Sequence, residues 1–294
     1  MTTTTALLLW IEVLVLLACR IEAFDVPGSG HNCELSLRES EGFFCQHDKS
    51  WIERREVARR QFARNCLNGH ENHYGYFQAN WEPEFHCMFM ERMGVVGDGG
   101  KWVCDPMRIS AHNHAPCLVY SIGSMNNFAF ENAVLQQFPT CEVHTFDHTS
   151  NPPGPGNNQA INFHKIGLAG KDAPPLSSLT SIFTSLNHTG KEISLFKIDI
   201  EGAEYGVFDE LFKYSPQVFR QMRQILIEVH FPENPIAGYT TKHGCIDALM
   251  NNLHNAGFAI FSKEANILWD ARGFEFSLIR LSPSVFQKSD AVKP

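Results

Sequence analysis

The sequence predicts an α/β chain: a doubly wound, Rossmann-like, mostly parallel sheet preceded by a disulfide-stapled extension. Three observations carry this. From Cys117 onward, short apolar runs alternate with amphipathic segments, the pattern of strands and crossover helices in a sheet covered on both faces. The run at 193–200, ISLFKIDI, is broken by Lys197 and Asp199 and then passes through Gly202. It hands over to Ala203, Val207, Phe208, Leu211 and Phe212, an apolar stripe at helical spacing. Finally, six of the eight cysteines that follow Cys19 lie before Val119, so the first part of the chain is the cross-linked part.

The elements follow in order. Residues 6–19 are apolar except for Glu12 and Arg-free, shorter than the roughly 20 residues of a membrane span. Their position is that of the apolar core of a secretory signal. Residues 1–23 are therefore read as a signal peptide, with a signal anchor as the alternative; the opening MTTTT carries no Lys or Arg. Cys33, Cys45, Cys66, Cys87, Cys104, Cys117, Cys141 and Cys245 form an even set, which suits disulfides in an oxidising lumen and leaves their pairing open.

Residues 24–116 form a cysteine-rich cap. Within it, 24–41 reads as loop, and 51–66 as a helix whose Arg54, Arg55, Arg59, Arg60 and Arg64 make a solvated face. The turn Gly97-Asp98-Gly99-Gly100-Lys101-Trp102 has two readings. It is a tight loop clipped by Cys87 and Cys104, or a lid in which Trp102 stacks on a ligand and Lys101 or Asp98 supplies charge.

Residues 117–282 carry the sheet. Strands are expected at 118–122, 142–146, 161–166, 193–200, 224–231, 258–262 and 274–281, with helices at 127–138, 176–186, 203–212 and 246–256. Residues 283–294 are a polar, flexible tail. Asn187-His188-Thr189 is a glycosylation sequon in a polar loop. A net charge of -8 without a basic patch excludes bulk nucleic-acid binding.

At the strand ends, chemistry-bearing residues collect. The first strand ends in a turn at Gly123, and the second ends in Asp147. This is the logic of a nucleoside site, in which backbone at the glycine approaches the ligand and the acid takes ribose hydroxyls. Ser124, Met125, Asn126 and Asn127 follow Gly123, so the glycines a dinucleotide pyrophosphate needs are missing. That disfavours a nicotinamide-linked oxidoreductase and leaves room for S-adenosyl-L-methionine. Asp199, Glu201 and Glu204 stand where the fourth strand meets its helix. His230 ends the fifth strand with Glu228 on the same face, which makes His230, Asp199 and Glu201 the candidate catalytic groups. The pairs His112/His114 and His144/His148 show no third ligand by spacing, so no metal is expected; any cation would join Asp199, Glu201 and His230.

The run LFKIDIEGAEYGVF resembles the KIDIEGAE signature of FkbM-type methyltransferases. The segments WEPEFHC and GDGGKWVCDP, with VYSIGS and FDH after them, resemble the methyltransferase-like 24 group. The resemblance implies a class I methyltransferase fold with seven strands, the last antiparallel, and S-adenosylmethionine at the carboxyl edge. Gly123 and Ser124 would line the methionine part, Asp147 would hold the ribose, and Asp199 would lie beside the methionine end or the acceptor. Asn126 and Leu168 complete the expected cofactor contacts. Ser121 departs from the pattern, since an acidic residue commonly stands two before the first glycine.

The expected function is S-adenosylmethionine-dependent methyl transfer in the secretory pathway or outside the cell, onto a hydroxyl of a small molecule or glycan. The expectation includes no stable membrane insertion unless the first segment anchors the chain. The alternative is an inactive methyltransferase fold kept as an extracellular binding module. An Asp147→Ala variant is expected to lose cofactor affinity with its fold intact.

Overall fold

Strand β3 (Leu118–Ile122) lies at the centre of the sheet, every residue buried. The computed structural model describes residues 32–65, 75–109, 117–234, 238–266 and 273–286. The expected signal segment, Cys66, His112, His114 and most of the tail lie outside the described residues. On one side β3 pairs in parallel with β4 (Glu142–Phe146), and β4 with β5 (Ile161–His164). On the other it pairs with β8 (Ile193–Ile198), and β8 with β9 (Met222–His230). Antiparallel β11 (Gly273–Arg280) is inserted between β9 and β10 (Phe258–Ala265), giving the order β10-β11-β9-β8-β3-β4-β5. This is the expected seven-stranded, mostly parallel, Rossmann-like sheet. Its central runs are predominantly apolar because both faces are covered.

Alternate residues of each strand feed two cores. Tyr120, Phe196 and Ile225 point into one, with the helices α6 (Leu179–Ser185), α7 (Glu204–Tyr214) and α8 (Lys242–Asn255). Val119, Leu195 and Leu226 point into the other. Only α5 (Ala129–Gln137) among the crossover helices covers this second face, because the β4–β5 connection is the loop around Pro152 and Pro153 rather than a helix. The cap covers the rest. Phe43, Phe44, Trp51 and Phe85 pack in one cluster with Leu226, Ala259 and Ile279 of the sheet. The whole of Cys33–Pro294 is accordingly one compact unit, and the division at residue 117 marks where the sheet begins rather than where a separate core begins.

Three details of the cap differ from expectation. Residues 24–41 contain a helix, α1 (Glu34–Glu39). The arginines of α2 (Asp48–Asn65) are not simply a solvated face. Arg54 lies over the Phe85 ring at 5.0 Å, Arg55 pairs with Glu39 at 2.8 Å, and Arg59 donates to the Val285 carbonyl at 2.7 Å. Arg60 and Arg64 are the exposed pair. Buried Arg223 of β9 donates to the Ser40 carbonyl, and Arg280 of β11 pairs with Glu41. The arginines of α2 thus tie the cap together and to the segment after β11, while arginines of the sheet reach back to the cap.

A hairpin of β1 (Met90–Met93) and β2 (Lys101–Cys104) continues the cap. Cys87–Cys104 closes it, Cys33–Cys45 closes the first turn of the cap, and Cys117–Cys141 joins the starts of β3 and β4. The side-chain amide of buried Gln224 donates to the Cys104 carbonyl and accepts from the Cys104 N–H, so the hairpin is hydrogen-bonded to β9 without a strand between them. One sheet-domain expectation is also displaced. The helix expected at 176–186 starts at Leu179, because Leu176–Ser177 forms a two-residue strand (β7) with Gly167–Leu168 (β6), and the Ser178 hydroxyl caps the helix by accepting from Ser181 N–H.

Candidate active site

The chemistry-bearing strand ends meet at the carboxyl edge of β3, β4, β8 and β9, where antiparallel β11 contributes its amino end. Gly123 follows β3 with φ +80, and a Cβ there would lie 1.8 Å from the Asp199 carbonyl oxygen. No other residue allows the two turns to approach so closely. Lys197, buried in β8, donates to the Gly123 carbonyl at 2.6 Å. Met125 and Asn126 continue the turn with φ 47 and 60.

Asp147 does more than stand at the end of β4. Its two oxygens accept seven hydrogen bonds, four from the backbone N–H groups of Ser124, Met125, Thr149 and Ser150 and three from the hydroxyls of Ser124, Thr149 and Ser150. Burial opposes its charge, but these bonds hold the carboxyl far below the usual carboxylate range. Asp147 is therefore the clasp between the two loops that would cradle a nucleoside. Asn126 is part of the same clasp. Its N–H donates to the Ser150 hydroxyl and its side-chain oxygen accepts from Asn151 N–H. Ser124 is buried and bonded to Asp147, Leu168 lies in the core beside β7, and the Ser121 hydroxyl is buried with no partner among the described residues.

The second half of the site is ionic. Asp98, Asp199, Glu228 and Glu275 bring carboxylate oxygens within 4.8 Å of one another. Buried Lys101 pairs with Glu275 and stands 3.5 Å from Asp199. Burial disfavours ionised Asp199, yet Lys101 and Lys197 lower its pKa, and Glu228 donates a hydrogen bond to it. Burial and the charges of Asp199 and Glu275 push Glu228 up to about 8. The pair therefore shares one proton at neutral pH. Burial alone would lower His230, but Glu204, whose Oε1 is 3.1 Å from Nδ1, leads the opposing causes and raises it to about 9. His230 is a cation at neutral pH and not the free base expected from its place in the sequence. Glu201, at φ 57 and 82 % exposed, is 3.4 Å from His230 Nε2.

The lid residues separate. Gly94 and Gly99 rest against Phe130 and Asn127 at the start of α5, so the glycine turn does lie on this edge. Lys101 points into the carboxylates. Trp102, its neighbour, points away by strand alternation. The Trp102 N–H donates to Glu264 at 3.2 Å, and Arg92 packs on its ring at 5.8 Å. Trp102 is thereby engaged by Arg92 of the cap and Glu264 of β10 rather than presented as a stacking surface. The sequence reading passed over Lys197 and Glu275 as site residues; the signal was a charge inside a strand buried on both faces. Asn187 is exposed in the turn after α6.

A family model described as a methyltransferase domain, Methyltransf_22, matches residues 34–280. No curated protein matches the chain. Among solved structures, it is similar to the Methanococcus jannaschii fibrillarin pre-rRNA processing protein at 9% identity, over 57% of this chain and 67% of that one, with TM-score 0.38. It is also similar to the Burkholderia thailandensis 1,6-didemethyltoxoflavin-N1-methyltransferase with bound S-adenosylhomocysteine, at 12% identity, over 60% and 76%, with TM-score 0.36. The family match begins at the first residue of α1 and ends at the last of β11, taking in the cap and the sheet together. The chain belongs to the Methyltransf_22 family of methyltransferase domains.

Proposed function

We propose that the chain is an S-adenosylmethionine-dependent methyltransferase of the secretory pathway, of the methyltransferase-like 24 or FkbM type, acting on a hydroxyl of a small molecule or glycan. The observation that carries this reading is the convergence, on one sheet edge, of the Gly123 turn with an ionised Asp199 that shares a proton with Glu228.

The residues fit the cofactor in two respects. When bound, it supplies a methyl group activated on a cationic sulfonium, and the edge is rich in carboxylates that favour a cation there. At the nucleoside end, three of the seven bonds to Asp147 come from side-chain hydroxyls. Ribose hydroxyls can replace these like for like while the four backbone N–H bonds persist. Asp199 is the base for the acceptor hydroxyl, and Glu228 exchanges its proton with it. His230 holds positive charge beside them, and Lys101 fixes the carboxylates from the cap side. The hairpin brings Lys101 over the carboxylates from one side, and methyl transfer draws most of its rate from alignment and the exclusion of water. Asn187 is the glycosylation site of the exported chain.

The inactive alternative has one observation in its favour. The Asp147 oxygens and the Gly123 carbonyl all have protein partners already. Calorimetric titration of the oxidised, exported protein with S-adenosylmethionine and S-adenosylhomocysteine separates the two. Micromolar binding, about −8 kcal/mol, with methyl transfer weakened by Asp199→Asn, supports the enzyme. Absence of binding by folded protein supports the binding module.

A further inference from the structure

At the other end of the sheet, a set of hydrogen-bonded histidines has no part in that site. Glu142 and His144 are the first and third residues of β4 and share one face of it. Asp147 lies five residue steps on from Glu142, roughly 16 Å along the strand. His188 reaches the pair from the turn after α6. Glu142 Oε1 lies 2.9 Å from His144 Nε2 and 3.4 Å from His188 Nε2, and the three atoms are within 4.8 Å of one another. Neighbouring ligands of a tetrahedral zinc ion, with bonds of ~2.0–2.1 Å, stand about 3.3 Å apart.

The far nitrogens are held as well. His144 Nδ1 is 2.8 Å from His164 Nε2, and His188 Nδ1 is 2.8 Å from the Tyr120 hydroxyl. His144 stacks on His164 with ring centres 5.1 Å apart, and the His144 and His188 planes cross at 84°. Both imidazoles are thereby fixed in direction, as metal-bound histidines are by their outer partners. His144 and His188 are buried, whereas the Glu142 side chain is 43 % exposed and opens the group to solvent on one side. Lys191, the cation nearby, is exposed.

We propose that Glu142, His144 and His188 form a binding site for a divalent ion of the zinc class. His164 and Tyr120 orient the two imidazoles, and water completes the shell from the exposed side. Without an ion, the same contacts close when both Nε2 atoms carry protons and donate to Glu142. The ion displaces those two protons to solvent or Nδ1 and ties β4 to the turn that carries Asn187.

The test is calorimetric titration of the full, chelator-dialysed protein with Zn²⁺, beside the variants Glu142→Gln and His188→Asn. The expected result is one equivalent bound at micromolar or tighter Kd, weakened at least tenfold by each variant. Glu142→Gln keeps the size and hydrogen-bonding reach of a partly exposed side chain, so it decides the matter if His188→Asn does not fold. No zinc binding by the folded wild-type chain, or equal binding by Glu142→Gln, overturns the site; the latter would assign the ion to other histidines of the chain's 14.

Discussion

Gly123 and Asp147 show how much of this edge rests on single residues. A methyl group at Gly123 would meet a backbone oxygen at 1.8 Å, and the residue has φ +80 besides. Gly123→Ala should therefore cost about 3 kcal/mol or more, read by urea unfolding, and lose cofactor affinity with it. Asp147→Ala strips an acceptor from four backbone N–H groups. The fold-intact outcome expected from sequence gives way to a loss of at least about 2 kcal/mol, alongside lost binding. Equal unfolding midpoints for wild type and variant would show that the clasp is replaceable by water. For His230, Glu204→Gln removes the leading cause of its raised pKa. An NMR titration should then find the imidazole below its wild-type value of about 9; an unmoved titration would assign the shift to Glu228 and Asp199.

At the scale of elements, the β1–β2 hairpin matters through what it delivers. Cys87–Cys104 and the Gln224 bridge hold it in place, and Lys101 carries its one buried charge to the edge. Lys101→Met leaves Glu275 and Asp199 without that cation. Breaking a buried pair from one side costs about 3–5 kcal/mol. The carboxylates can recover part of this by taking up a proton, so the loss of stability should be greater at pH 8 than at pH 5. A thermal unfolding series over that range measures it, and a pH-independent loss would exclude charge as the cause.

For the whole molecule, pH and the cap are the controls. Glu228 holds a proton to about pH 8 that the unfolded chain releases near its ordinary 4.5, and His230 holds one to about 9 against 6.5. Each shift has the same sign. The stability from both is complete below the unfolded values and is lost as pH rises through 8 and 9, at about 1.4 kcal/mol per unit of displacement. Unfolding midpoints should fall between pH 5 and 9; a midpoint rising over that window would contradict the proton sharing. Reduction should unfold cap and sheet in one transition, because they share a core. Among the described residues no helix is long and apolar enough to cross a membrane.

The sheet was legible because buried parallel strands must be predominantly apolar, and residues 118–122, 193–198 and 222–229 carry short apolar runs with only isolated polar residues such as Lys197 and Glu228 among them. The strand-end residues Gly123, Asp147, Asp199 and His230 were legible for a related reason: a strand that leaves the core must change composition where it does so. The chain alone therefore determined the fold class, the order of the strands of the main sheet along the chain and the edge at which the candidate residues gather. Only the tertiary structure decided who partners whom. Asp147 became a saturated clasp, His230 a cation and Trp102 a packed cap residue, while Lys101, Lys197 and Glu275 joined the site from segments far apart in sequence. The reason is physical: charge state and hydrogen bonding depend on distances across strands, and those distances are set by register and packing, which no local pattern of residues contains.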